Sequence, residues 1–185
     1  MELSKQLKER GVILEGHFKL TSGRHSDKYV NKDTAFCDPY LFKTLFQQFL
    51  YCQGGMQYDV VTGPAIAGAV LAAPVGLFLD KVFVYPEKVE GKMVFRRGYD
   101  KIIKDQKVLI LEDIITTGGS VQKTIDSIKE CGGIPMGVIA IWNRSGWKPV
   151  DCLCISMVNE QVKSWEPDEC PLCKEGIPLQ DPKAL

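Results

Sequence analysis

The sequence carries no surplus of either charge: 23 Lys and Arg stand against 23 Asp and Glu in 185 residues. Without a net field there is no global attraction to nucleic acid or to an anionic membrane, so any anion site has to be local. No window approaches about 18 uncharged apolar residues, so no transmembrane helix is expected. The opening stretch MELSKQLKERGVILEG lacks the apolar run of a secretory leader and reads as an amphipathic helix with Leu3 and Leu7 on one face. Seven cysteines form an odd set in a chain with no export signal, which argues for reduced thiols over a disulfide framework. Internal repeats and low-complexity tracts are missing as well. These absences predict a cytoplasmic protein with neither nucleic acid nor membrane as a partner.

An apolar content of 45% suits a single domain over residues 1–185. A chain of this length buries roughly 70% of its unfolded surface, so the core is expected to hold without metal or disulfide staples. From Tyr58 onward, apolar runs of strand length alternate with helical patterns. Asp59–Gly63 and Lys81–Pro86 read as strands around an apolar helix, Ala67–Asp80. Lys107–Asp113 is nearly all hydrophobic, as in a strand covered on both faces of a parallel sheet. Val121, Ile125 and Ile128 then fall at helical spacing, and GGIPMGVIAIWNRSG supplies another buried strand. The pattern predicts a doubly wound, mostly parallel α/β sheet, with ligands at the carboxyl ends of its strands. Residues 36–146 would form this core. Residues 1–35 and 147–185, the latter short, Pro-rich and irregular, would form a small hood.

The turn after Lys107–Asp113 carries the chemistry. The strand ends in Glu112-Asp113, followed by Ile114, Ile115, Thr116, Thr117, Gly118, Gly119 and Ser120, and then a helix. Glycines let a phosphate approach the backbone, the helix N-terminus adds partial positive charge, and the hydroxyls donate hydrogen bonds. Two acids beside a phosphate would repel it unless a neutral group intervened. The hydroxyls of a ribose fill that role, since carboxylates accept from them. The turn lacks the lysine of a P-loop, and no GxGxxG follows a strand.

Val108 to Ser120 resembles, without a gap, the 5-phosphoribosyl 1-pyrophosphate (PRPP) signature of type I phosphoribosyltransferases. That resemblance implies PRPP binding by Glu112 through Ser120. A second block, GHFKLTSGRHSDKYVNKD from Gly16 to Asp33, is similar to the hood of orotate phosphoribosyltransferases. Its Ser22-Gly23 turn offers N–H groups to an acceptor, and Lys19, Arg24, His25 and Lys28 put positive charge around it, suited to a carboxylated base. Arg144 corresponds to the family arginine that pairs with the orotate carboxylate, and Thr116 is assigned to the same base. A third block, Gly63-Pro64-Ala65-Ile66-Ala67-Gly68, is similar to the family loop that contacts pyrophosphate, with Ala67 where many orotate enzymes have lysine. That departure, with the EKVEGKMVFRRGY stretch and the tail CPLCKEGIPL, resembles a thermophile-type branch of the orotate enzymes.

The resemblance implies transfer of phosphoribosyl from PRPP to orotate in pyrimidine biosynthesis, with Mg²⁺ as cofactor and a homodimer as the assembly. No protein ligand to that metal is assigned directly. Substrate oxygens would hold it, with Glu112 or Asp113 reached through water. Asp113 and a mobile loop or exposed hairpin carrying Lys88, Lys92, Arg96 and Arg97 would form the catalytic set. The alternatives are a phosphoribosyltransferase for another base and a non-catalytic PRPP-sensing regulator. Cys152-Leu-Cys154 and Cys170-Pro-Leu-Cys173 are spaced near a zinc-ribbon pattern but not on it, so unligated thiols are the expectation.

Overall fold

The structure, a computed structural model, describes residues 3–20 and 22–182. Met1, Glu2 and Thr21, which belong to the predicted N-terminal helix and hood block, lie outside the described residues. In chain order the elements are α1 (Leu3–Glu9), β1 (Ile13–Lys19), β2 (His25–Val30), α2 (Lys32–Cys37), α3 (Pro39–Gln53), β3 (Val60–Thr62), α4 (Ala67–Phe78), β4 (Val82–Phe83), β5 (Glu87–Val89) and β6 (Lys92–Val94). They continue with α5 (Tyr99–Ile103), β7 (Lys107–Ile115), α6 (Gly119–Glu130), β8 (Ile134–Asn143), β9 (Leu153–Asn159), β10 (Ser164–Trp165) and α7 (Pro171–Lys174). The chain forms two compact units, one of Met1–Thr44 with Gln161–Leu185 and one of Leu45–Glu160.

The larger unit is built on a five-stranded sheet in the order β4-β3-β7-β8-β9, parallel at every pairing. The side-chain period of two explains why β7 is apolar almost throughout. Val108 and Ile110 join Val121, Ile125 and Ile128 of α6 in one core cluster. Leu109 and Leu111 point the other way, into a cluster with Phe49 of α3 and Ala72 and Val75 of α4. Both faces are thus covered, as a doubly wound sheet requires. Where β8 passes β7, the register shifts between Val108 and Leu109, at the site of Pro135. Proline has no N–H for the ladder, so an irregularity there is expected.

Two elements differ from the sequence expectation. Helix α1 stops at Glu9 because Gly11 takes a left-handed φ of +72° and caps it, with the Val12 N–H donating to the Leu7 carbonyl at 2.8 Å. The following Ile13-Leu14 belongs to β1. The stretch after Gly146, expected to be irregular, contains β9, which pairs with β8 from Gly137↔Leu153 to Asn143↔Asn159. As an edge strand it is mostly half-buried, so its sequence lacks the continuous apolar run that marks β7.

The smaller unit carries an antiparallel sheet in the order β1-β2-β10. Leu3, Leu7, Val12, Phe18, Ala35 and Leu41 are buried within it. The carbonyl of Gln180 accepts from the Lys19 N–H at 3.0 Å, and the Gln180 N–H donates to the His17 carbonyl at 2.7 Å, which lays the C-terminal segment along β1.

Candidate active site

Strand β7 delivers Glu112 and Asp113 to its carboxyl end, each only 6% exposed. One oxygen of each carboxylate accepts from the next backbone amide: Glu112 Oε1 from the Asp113 N–H at 3.1 Å, and Asp113 Oδ1 from the Ile114 N–H at 2.7 Å. These short local bonds fix both side chains beside the turn that follows. Ile115 closes the strand with its side chain in the core, so it can meet a ligand only through its backbone.

Thr116 and Thr117 are exposed, and Gly118 turns the chain with φ +76°. A Cβ on Gly118 would also fall inside the indole ring of Trp147, so conformation and space both call for glycine. No side chain caps the start of α6, leaving its first amides without an intrahelical or side-chain acceptor. A small cleft of about 50 Å³ lies against this turn, lined by Glu112 and by Ile114 through Val121. A carboxylate together with backbone amides and hydroxyls suits a phosphorylated sugar.

The Gly63–Gly68 loop packs backbone to backbone against the same strand end. A Cβ on either Gly63 or Gly68 would stand 2.6 Å from the Leu111 carbonyl oxygen, one residue before the acids. Ala65 and Ile66 are exposed at the tip, joined by a cis peptide.

Arg144 follows β8 directly, its N–H donating to the Ile115 carbonyl at 3.1 Å. The side chain is half-buried, and that burial pulls its pKa below the ordinary arginine value while leaving it charged. Among the described residues no carboxylate pairs with it. Sequence reasoning missed the device that holds it. Asn143 is buried; its Oδ1 accepts from the Ser145 and Gly146 N–H groups at 3.2 and 2.9 Å, and its Nδ2 donates to the Trp147 carbonyl at 2.8 Å. This turn carries Arg144 and lays Trp147 over Gly118. The Asn-x-Ser-Gly spelling was the available signal, since asparagine readily bonds the backbone two residues on.

Lys88, Lys92, Arg96 and Arg97 lie on or just beyond a β5–β6 hairpin. Its tip, Glu90-Gly91, has positive φ at both residues, as a two-residue hairpin of this hand requires. The Lys123 ammonium of α6 donates to the Gly91 carbonyl at 2.6 Å, while Met93 and Phe95 are buried. Arg97 pairs with Glu87 at 2.8 Å, and this bond raises its pKa further. Lys88, Lys92 and Arg96 are exposed, with no ion pair among the described residues.

In the smaller unit, Ser22 is exposed in the β1–β2 turn, and Gly23 has φ +84°. The Gly23 N–H already donates to the Leu20 carbonyl at 2.9 Å, leaving Ser22 as the freer donor. Arg24 and His25, expected to put charge around this turn, are engaged elsewhere. Arg24 pairs with Glu166 and donates to the Ser164 carbonyl at 2.8 Å, and His25 is buried against Cys173. Cys152 and Cys154 pack against the sheet core of the larger unit, where burial pushes the Cys152 thiol up to about 11. Cys170 and Cys173 belong to the smaller unit and group with His17 and His25.

A parallel sheet that presents an acid pair and an amide turn at one strand end defines a binding site for a ribose phosphate. Residues 46–171 match the phosphoribosyl transferase domain. Orotate phosphoribosyltransferase of Caldanaerobacter subterraneus subsp. tengcongensis is 40% identical over 176 residues, 92% of this chain and 90% of that protein. The enzyme of the same name from Chlorobium phaeobacteroides is 38% identical over 175 residues, 93% and 89% of the two chains. The crystal structure of orotate phosphoribosyltransferase from Aeropyrum pernix matches with a TM-score of 0.72 at 25% identity, over 85% of this chain and 93% of that one. The chain belongs to the phosphoribosyltransferase family, type I, and within it to the orotate phosphoribosyltransferases.

Proposed function

We propose that this chain transfers the 5-phosphoribosyl group from PRPP to N1 of orotate, releasing pyrophosphate and forming orotidine 5′-monophosphate for pyrimidine biosynthesis. The observation that carries the reading is the buried Glu112-Asp113 pair set immediately before the Gly118 turn and the uncapped start of α6. In this reading the two carboxylates accept from the ribose 2′ and 3′ hydroxyls. The Thr116–Ser120 amides and hydroxyls hold the 5-phosphate, and the Ala65–Ala67 tip faces the pyrophosphate. Arg144 makes a two-pronged bond to the orotate carboxylate, with Thr116 of the same unit contributing to the base site; the Ser22-Gly23 turn is assigned to orotate by its resemblance to the family's hood. The test is direct: with Mg²⁺, PRPP and orotate the protein forms orotidine 5′-monophosphate, and a protein that forms none overturns the assignment.

The donors at the end of β7 are carboxylates and hydroxyls, the hard oxygen set that suits Mg²⁺. Among the described residues they do not form a full protein cage, so Glu112 and Asp113 would hold the ion together with substrate oxygens. Bound there, it would offset the charge of the pyrophosphate.

Negative charge builds on the leaving pyrophosphate as the bond to the ribose carbon lengthens, so cations placed there favour the transition state over the ground state. Lys88, Lys92, Arg96 and Arg97 are the supply. Arg97 can exchange Glu87 for pyrophosphate cheaply, because an exposed ion pair contributes only about 0–1 kcal/mol. Closure of the hairpin would also keep water from the electrophilic carbon. Replacing Lys92 and Arg97 together by Ala lowers kcat by about 10²-fold or more, with a smaller change in PRPP affinity. An unchanged kcat removes the hairpin from the chemistry.

The active form in this reading is a cytoplasmic homodimer. Supporting it, Val70, Leu77 and Phe78 of α4 and Val82 of the edge strand β4 are apolar and 41, 77, 68 and 48% exposed. Several exposed apolar side chains on one helix and its neighbouring edge strand suit a second copy of the chain. Sedimentation as a monomer at micromolar concentration contradicts the dimer.

A further inference from the structure

We propose that His17, His25, Cys170 and Cys173 form a structural zinc site that ties the C-terminal segment to the β1–β2 hairpin. Nothing in the phosphoribosyl transfer uses these four side chains. Their ligand atoms all lie within 4.8 Å of one another, and His17, His25 and Cys170 are buried. Burying two imidazoles and the Cys170 thiol costs free energy unless their polar atoms are satisfied, so the cluster calls for a partner.

The chain brings them together by local means. The β1–β2 register shifts between Glu15 and Phe18, setting Gly16 and His17 opposite the single residue Asp27. Such a bulge breaks the two-residue alternation, and His17 and Phe18 are consequently buried in succession. His25 starts β2. Cys170 and Cys173 bracket the first turn of α7, the short CxxC spacing that lets two sulfurs face one point.

Proton bookkeeping singles out a cation. His17 Nδ1 lies 2.7 Å from the Ile177 carbonyl oxygen, which can only accept, so Nδ1 carries a proton. In the neutral ring Nε2 then presents one lone pair. Three groups converge on that atom: His25 Nδ1 at 3.1 Å, Cys170 Sγ at 3.4 Å and Cys173 Sγ at 3.7 Å. One lone pair can satisfy one donor, whereas a cation between the four groups satisfies all of them at once. A carbonyl that accepts from the other ring N–H, as Ile177 does here, is also what ordinarily orients a metal-bound histidine.

The spacing agrees with zinc. Bonds of about 2.3 Å to sulfur and about 2.0–2.1 Å to nitrogen, at tetrahedral angles, give edges of about 3.3 Å between nitrogens and about 3.6 Å between nitrogen and sulfur. Four of the six separations match these edges, 3.1 Å between the nitrogens and 3.3, 3.4 and 3.7 Å between nitrogen and sulfur, and the remaining two, from Cys170 to His25 and to Cys173, lie within 4.8 Å. Two thiolates and two imidazoles favour Zn²⁺ over Mg²⁺ or Ca²⁺, which take oxygen. Four protein ligands leave no open position, which marks a structural rather than a catalytic ion. The site joins residues 153 apart in sequence, so the ion would cross-link the two distant segments that make up this unit.

The experiment is metal analysis of the whole chain, purified under reducing conditions without chelator. The expected result is close to one zinc per chain. Metal-free protein titrated with Co²⁺ should give the intense visible bands of a tetrahedral site, with sulfur-to-cobalt charge transfer. Cys170→Ser with Cys173→Ser should lower zinc retention at least tenfold, whereas Cys152→Ser with Cys154→Ser should retain it. Wild-type protein that holds no zinc and gives only the weak spectrum of six-coordinate cobalt overturns the proposal, as does full zinc retention by the Cys170/Cys173 variant. The cobalt spectrum of the wild type decides the matter even if that variant does not fold.

Discussion

Asp113→Asn should lower kcat/KM for PRPP by about 10²-fold or more while the protein still folds. Hydrogen bonds to a charged group contribute about 1.5–3 kcal/mol each, and a ribose diol offers two hydroxyls to the acid pair. The amide keeps one oxygen, which can still accept from the Ile114 N–H as Asp113 Oδ1 does at 2.7 Å. What it loses is the charge and one acceptor, replaced by an NH₂ that confronts a hydroxyl donor. Steady-state kinetics with PRPP as the varied substrate, alongside a circular-dichroism melt, separate this loss from unfolding. A near-normal kcat/KM contradicts the role given to the strand-end acids.

The second large effect is expected at Arg144. Arg144→Ala should raise KM for orotate by roughly 10²-fold and change KM for PRPP only a few-fold, because a two-pronged guanidinium–carboxylate bond is lost at the base alone. Arg144→Lys should recover only part of the loss, since an ammonium is a point charge that cannot reproduce the fork. The Arg144 N–H bond to the Ile115 carbonyl survives either substitution, so the end of β8 keeps its place against β7. Equal losses for both substrates contradict a base-binding role and leave the arginine as a mere support of the turn.

The sheet was legible because β7 and β8 are buried on both faces and therefore spelled almost entirely in apolar residues. The phosphate turn was legible for a related reason. Gly118 must adopt φ +76° under the Trp147 ring, and Glu112-Asp113 must follow Leu111 without a gap, so local chemistry dictates local spelling. Strand β9 was not legible, since half-buried edge residues relax the pattern. The Ser22-Gly23 turn was misjudged in its surroundings, because partners more than a hundred residues away recruit Arg24 and His25. The same distance hid the histidine–cysteine cluster: CxxC was visible, but its nearest partners sit on a bulged hairpin near the other end of the chain. If zinc is bound there, the expectation of a core without staples fails for the smaller unit.

The central claim concerns which base receives the phosphoribosyl group. A panel of orotate, uracil, adenine, guanine and hypoxanthine, each mixed with the protein, Mg²⁺ and PRPP, gives the most direct test through the ultraviolet change of each base and the release of pyrophosphate. The account predicts that orotate is consumed with equimolar pyrophosphate and that the other bases are left essentially untouched. Turnover of another base in preference to orotate, or of none, contradicts it.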